Sequence, residues 1–414
     1  MPNRLPAVPV YLLMTGCNGL FFATYATVAT VYRVVEAGLS PFQVVLVGTV
    51  LEASAFLGEI PTGVVADVYS RRLSIIIGLV LIGLGFMVEG LFPTFGVILA
   101  AQVIWGVGYT FTSGAREAWI ADEVGEDRVA GVFLRAAQVG QLGALAGIGL
   151  SVAIASADLG TALVVGGIGY VAMAAFLALF MAETGFSPTP APERSSWGKM
   201  TATFEDGIGV VRRSAVLPAI LAIAAIAGAA SEGLDRLTDV HFLQNYTFPE
   251  LGGADPIVWF GLISAGALLM SIAAAEFARR FMGSRDSSAR VRLLVVFNSV
   301  LVAAVCIFGL AAGFYLALAA YWAARVMRQT MLPLQAAWLN EHVDSKVRAT
   351  VFSMAGQFDA GGQIVGGPFI GLLANVASVR AALVAAGLAL LPSLPLYARG
   401  LRNGRAASEE VAST

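Results

Sequence analysis

Cysteine, histidine and charge are all scarce in this chain of 414 residues. Its two cysteines, Cys17 and Cys306, and its two histidines are too few for a zinc cluster or a disulfide framework. Both cysteines lie in apolar segments, where a free thiol packs as a small hydrophobe. Asp, Glu, Lys and Arg make up 13% of the residues, against about 25% in a soluble domain. The formal net charge of -2 offers no basic field for nucleic acid. Neither a Walker A sequence nor a G-x-S-x-G elbow occurs, which excludes an ATP-driven pump within this chain and argues against an enzyme. No metal or cofactor is expected. What is abundant is apolar: 58% of the residues are hydrophobic, the composition of a membrane protein.

Apolar runs of about 20 residues, enough to cross about 30 Å of hydrocarbon as helix, recur near 8–32, 42–66, 73–92, 96–120, 131–157, 161–182, 216–240, 257–278, 292–312, 314–337, 350–375 and 378–398. They predict an all-α membrane protein of twelve spans. The first run is too long for a signal peptide and lacks a small-residue cleavage site, so it is expected to stay in the mature protein. Counting Lys and Arg loop by loop favours both termini on the cytoplasmic side: Arg71, Arg72, Arg194, Lys199, Arg290 and Lys346 are among those falling inside, and only Arg33 and Arg380 fall in outer loops. Little Lys against abundant Arg and Ala points to a GC-rich bacterial genome, hence to a bacterial inner membrane. The domain reading is a six-helix bundle over 1–185, a Pro- and Ser-rich cytoplasmic linker over 186–215 with a short interfacial helix over 197–213, a second bundle over 216–398 and a disordered tail over 399–414.

The two halves resemble each other. The stretches beginning AWIADEVGED at Ala118 and AWLNEHVDSK at Ala337 align without a gap at an offset of 219, the difference between those two positions. That offset pairs Trp119 with Trp338, Gln138 with Gln357, Gly143 with Gly362 and Gly147 with Gly366. It also takes Asp67 to Asp286 and Arg71 to Arg290. Two parallel six-helix halves with a binding site near the midplane are a transporter architecture.

Between the second and third spans, Gly63-Val64-Val65-Ala66-Asp67-Val68-Tyr69-Ser70-Arg71-Arg72 resembles the signature loop of the major facilitator superfamily, G-x-x-x-D-R-x-G-R-R. Gly63, Asp67, Arg71 and Arg72 match; Val68 and Ser70 depart from it. Twelve spans, a long central loop and parallel halves fit that family over the whole chain. The resemblance implies that the first, fourth, seventh and tenth spans line a central cavity, and that Gly63, Asp67, Arg71 and Arg72 form a gating loop. Resemblance to the family's proton-coupled drug exporters is looser. Gln102 stands where their fourth span often has Arg, and the G-P-x-x-G element falls at Gly367-Pro368-Phe369-Ile370-Gly371.

An ionisable group at hydrocarbon depth costs about 2.5–3.5 kcal/mol on the insertion scale and must be paired, neutralised or wet. Glu52 and Glu59 lie seven residues apart, almost two turns, on one helix face. They pair structurally or face a water-filled vestibule, or at least one of them is a proton site. Glu232, Asp235, Arg236 and Asp239 form one stripe of the seventh span at i, i+3, i+4 and i+7. Its opposite charges can pair within the stripe or with Arg325 and Arg328 of the tenth span, which share a face with Gln329. Proton-coupling candidates are therefore Glu52, Glu59, Glu232 and Asp235. Substrate-cavity candidates are Asn18, Tyr25, Trp105, Tyr109, Arg236, Arg325, Arg328, Gln329, Gln357 and Asp359. Glu89 is placed near a span end.

The leading expectation is a monomeric, proton-coupled antiporter that exports small amphipathic compounds or drugs by alternating access, with the bilayer, protons and a small molecule as its partners. A proton-linked importer or facilitator of a polar metabolite is the alternative within transporters. A non-transporting receptor or scaffold is the alternative outside them.

Overall fold

The computed structural model describes residues 4–188, 211, 214, 216–282, 287–341, 343 and 348–399. Most of the linker, including all but residue 211 of the interfacial helix expected over 197–213, and most of the tail lie outside those residues. So does Asp286, the repeat partner of Asp67.

Among the described residues all regular structure is helical. Within hydrocarbon the backbone has no water to bond, and a helix satisfies its N–H and C=O groups internally. The helices are α1 (Ala7–Val35), α2 (Pro41–Val68), α3 (Arg71–Leu91), α4 (Phe95–Thr112), α5 (Ala115–Val124), α6 (Glu126–Ala155), α7 (Leu159–Phe180), α8 (Leu217–Asn245), α9 (Ile257–Met282), α10 (Ser287–Leu310), α11 (Phe314–Glu341), α12 (Arg348–Val376) and α13 (Val379–Ala389). The stretch Phe95–Val124 is one span broken between α4 and α5, where Gly114 takes a φ of 70°, a left-handed conformation that glycine adopts without steric cost. The span that starts with α13 extends to Arg399. The described helices thus form twelve crossing segments.

Ten of these segments are long and apolar enough to cross a membrane on composition alone. The other two, α11 and α12, have the length, 28 and 29 residues. They carry Arg325, Arg328, Gln329 and Gln335 on α11 and Gln357, Asp359 and Gln363 on α12, which lower their hydropathy.

Side chains cap the starts of several helices. The Ser70, Asp158 and Ser378 side chains accept from the backbone N–H groups of Leu73, Thr161 and Ala381 at the starts of α3, α7 and α13. Hydrogen bonds from Thr161 hold the Asp158 carboxyl below the usual carboxylate range, so its capping contribution is present near neutral pH and fades as pH falls. The stretch expected as a loop over 63–72 is mostly helix, with only Tyr69 and Ser70 outside α2 and α3. The polar side chain of Ser70 caps α3, which lets the turn close in two residues.

The chain divides into two compact units. The first comprises Met1–Leu39, Val50–Met200 and Pro249–Ala265; the second comprises Ser40–Thr49, Thr201–Phe248 and Gly266–Thr414. In the first, α1 packs most extensively on α6, and α3 on α7 and α4. In the second, α8 packs on α12, and α10 on α11 and α13.

The sequence repeat reappears as repeated packing inside each unit. A Cβ on Gly143 of α6 would lie 2.1 Å from the Gly16 carbonyl oxygen of α1, and a Cβ on its repeat partner Gly362 of α12 would lie 2.1 Å from the Ala225 carbonyl oxygen of α8. Backbones this close admit no side chain, the small-residue packing that substitutes for a hydrophobic drive between helices in lipid. Polar contacts repeat too. Arg71 pairs with Asp122 at 2.5 Å, and Arg290 pairs with Glu341, each residue displaced by the offset that relates Ala118 to Ala337. Trp119 and Trp338 are both buried.

We expect Gly143→Ala and Gly362→Ala each to destabilise the purified protein by about 1–3 kcal/mol through overpacking. Gly149→Ala, with nothing within 4 Å of the added carbon, serves as the control. Thermal melting in detergent checks this; equal melting of all three variants would contradict the packing assignment.

Candidate functional site

The second unit encloses a cavity of about 540 Å³, lined from α8, α10, α11, α12 and the span that begins with α13. Ligand pockets run to about 300–1,000 Å³. On α11 the lining residues Arg325, Arg328, Gln329, Leu332, Gln335, Ala336 and Leu339 recur every three or four positions, so one face of a single helix runs the length of the cavity.

The charged end is built around Asp235 of α8. Arg325 Nη1 donates to Asp235 Oδ1 at 3.3 Å, and Arg328 Nη1 donates to both carboxylate oxygens at 2.8 and 2.7 Å. These side chains retain 28–40% of their exposure, which keeps the cluster accessible. Asp359 of α12 also lines the cavity and accepts from the Gln363 amide at 2.8 Å. One turn before Asp235, Glu232 is buried and Arg236 Nε donates to it at 3.5 Å. The seventh-span stripe therefore pairs both internally and with α11.

Beyond the guanidinium groups the wall turns apolar with Leu301, Val305, Met331 and Leu332, then polar and uncharged with Asn298, Gln335, Ser393 and Tyr397. Gln335 Nε2 donates to the Tyr397 hydroxyl at 2.7 Å, and Asn298 Nδ2 to the Leu390 carbonyl at 3.3 Å. Sequence reasoning missed these four. Gln335 continues the periodic face of Arg325 and Arg328 and was within reach of pattern reading. Asn298, Ser393 and Tyr397 are isolated polar residues in apolar runs, and only tertiary packing brings them together.

The other residues singled out from sequence are dispersed. Gln329 is exposed and lines the same cavity, while Gln357 is half-buried on α12. In the first unit Glu52 is half-buried and Glu59 exposed on α2. Asn18 accepts from the Tyr170 hydroxyl at 2.9 Å, and Tyr109 is half-exposed. Tyr25 is buried, stacked on Phe86 with ring centroids 3.6 Å apart and edge-on to Trp105 at 5.5 Å. Gly63 and Asp67 lie in the last turns of α2. Arg72 donates its backbone N–H to Glu183 at 2.9 Å, and Ser70 donates its hydroxyl to the same carboxylate at 2.6 Å.

The first unit holds a second buried charge cluster that local sequence did not reveal. Arg33, placed in an outer loop by sequence, lies in the last turn of α1 and is buried. Its Nε donates to Glu89 Oε1 at 2.7 Å, while Tyr25 and Gln102 donate to Glu89 Oε2 at 2.7 and 2.6 Å. Both charges are enclosed, so removing one partner strands the other. Glu89→Gln and Arg33→Gln should each destabilise by about 3–5 kcal/mol, and a double Arg33→Met, Glu89→Leu variant by less than the sum. Additive losses in melting experiments would dissolve the pair as a coupled unit.

Comparison with known proteins places this geometry in context. Residues 11–310 match the sequence model of the Major Facilitator Superfamily. Over 119 residues the chain is 25% identical to YxaM of Bacillus subtilis (strain 168), described as an uncharacterized MFS-type transporter; the match takes in 29% of this chain and spans 30% of that protein's length. Among solved structures, the nucleoside transporter NupG aligns with a TM-score of 0.73 at 13% identity, covering 95% of this chain and 99% of that one. A bacterial homolog of the human lysosomal transporter Spinster, inward-facing and unoccupied, aligns with a TM-score of 0.72 at 15% identity over 96% of both chains. The peptide transporter POT in complex with sulfate aligns with a TM-score of 0.75 at 13% identity, over 96% of this chain and 95% of that one. At such identities the structures speak to the fold, and the sequence model speaks to descent: the chain belongs to the Major Facilitator Superfamily, a family of multi-pass membrane transporters.

Proposed function

We propose that the protein is a proton-coupled secondary transporter that moves small amphipathic compounds across a bacterial inner membrane by alternating access, with export as its direction. One observation carries this reading. Asp235 is bound by two arginines at the head of a largely apolar cavity of about 540 Å³, and these ion pairs are open to that cavity. A proton on Asp235 releases the guanidinium groups. An acceptor on the substrate then takes them, and the two events become linked because each changes the other's free energy. Glu232, buried one turn away with Arg236, is the second carboxylate in the proposed relay. The carboxylates Glu52 and Glu59 of α2 remain proton-site candidates, and the segment from Gly63 to Arg72 remains the proposed gate.

A second reading, transport of a polar metabolite, is favoured by the uncharged hydrogen-bonding end of the same cavity and by the nucleoside and peptide transporters among the structural neighbours.

Cells with and without the protein, exposed to a panel of antibiotics and fluorescent dyes, should differ in accumulation, and collapse of the proton gradient should erase the difference. In proteoliposomes an acid-directed gradient should drive flux of the responding compound, and Asp235→Asn should bring coupled flux down towards the protein-free leak. The coupling model fails if the gradient drives nothing, or if Asp235→Asn and Glu232→Gln both transport at the unmodified rate. Nucleosides and short peptides run through the same assay test the second reading.

A further inference from the structure

Two features of the cavity wall remain unused by a reading based on charge alone. The first is an excess of donors at the charged end. Arg325 and Arg328 carry five N–H donors each. Only the Nη1 groups of the two are engaged with Asp235, and both side chains keep more than a third of their exposure. Asp359 spends part of its acceptor capacity on Gln363. The open hydrogen-bonding capacity here therefore suits an acceptor group, a carboxylate above all, which guanidinium binds in a two-pronged fashion.

The second feature is at the far end. Ser393 is 1% exposed, lines the cavity, and its hydroxyl makes no hydrogen bond among the described residues. A buried hydroxyl left unmatched is unfavourable, and a group in the cavity that bonds to it removes that penalty. Around it stand Asn298, whose amide nitrogen is taken by Leu390 while its oxygen remains an acceptor, and Tyr397, whose oxygen accepts from Gln335 and whose proton remains a donor. Every group of this set is uncharged. It suits a hydroxyl or amide on the ligand and penalises a second charge.

Gln335, which ties Tyr397 to α11, follows Arg328 by seven residues, an axial separation of about 10 Å. Met331 and Leu332 occupy the helix between them and are apolar. We infer that the cavity of the second unit recognises an elongated solute at two points: an acidic group at Arg325 and Arg328, and a neutral hydroxyl or amide about 10 Å away at Ser393 and Asn298, joined by an apolar spacer. This rests on the proposed function and deepens it by giving the substrate a class: bifunctional amphipathic acids with a polar, uncharged far end. Ser393 is the residue that selects for that far end.

The test is equilibrium binding to the purified full-length protein, followed by tryptophan fluorescence with calorimetry as a check. The probes are ω-hydroxyoctanoate, octanoate, and ω-hydroxybutanoate, whose chain is too short to reach both ends. Wild-type protein should bind ω-hydroxyoctanoate about tenfold more tightly than octanoate, the worth of one hydrogen bond to a buried group, and should gain nothing from the hydroxyl on the short probe. Ser393→Ala should lose the preference for the hydroxylated probe, binding the two octanoate probes with equal affinity. Arg328→Gln should weaken both octanoate probes while keeping their ratio. Equal affinity of wild type for the two octanoate probes, or a preference that persists in Ser393→Ala, overturns the inference. The wild-type comparison alone decides the matter if a variant does not fold. Because binding here needs neither a proton gradient nor flux, failure of this test leaves the transport assay free to succeed, and failure of transport leaves the two-point site intact.

Discussion

Charge in a low-dielectric medium is the constraint that organises this protein. A lone carboxylate or guanidinium at hydrocarbon depth is costly, and among the described residues the buried Arg33, Glu89 and Glu232 each meet an opposite charge. Arg33 and Glu89 close on each other in the first unit, with Tyr25 and Gln102 both donating to the second carboxylate oxygen. Glu232 and Arg236 share one helix face in the second. Asp235 gathers Arg325 and Arg328. The first pair is enclosed and held by three donors, and it acts as a fixed pin. The last is open to a cavity, and that difference in accessibility is why the functional role is proposed for it and a structural one for the first.

Close backbone packing is the second theme, and it follows from the same solvent. Lipid gives apolar side chains no reason to leave it, so helices associate through fit and small residues matter. Gly143 against α1 and Gly362 against α8 are one solution used twice. The signature-loop arginine Arg71 and its repeat partner Arg290 likewise find acids at equivalent positions, Asp122 and Glu341. Repetition of both an apolar contact and an ion pair at a constant offset argues that the halves descend from one unit and kept its internal packing.

The cavity of the second unit combines the two themes. Its wall passes from arginine and aspartate through Leu332 and Met331 to neutral amides and hydroxyls along one face of α11. That gradient is why α11 is too polar to register as a membrane span on composition, and the same is true of α12 with Asp359. The polarity that weakens these helices as membrane spans is the polarity that lines the cavity.

The sequence by itself determined the class, the number of crossings, the repeat and the superfamily resemblance, because apolar run length, a constant offset and a short loop signature are all one-dimensional. It also brought Asp235, Arg325 and Arg328 into one frame, since helical periodicity puts each on a definable stripe. Tertiary structure alone decided which charges meet. Arg33 and Glu89 lie 56 positions apart with nothing local to link them, and Tyr25, an aromatic that read as a cavity residue, is buried beside them. Ser393, Asn298 and Tyr397 were equally silent, for a single polar residue in an apolar run carries no periodic signal, and its meaning depends on which helices come to surround it.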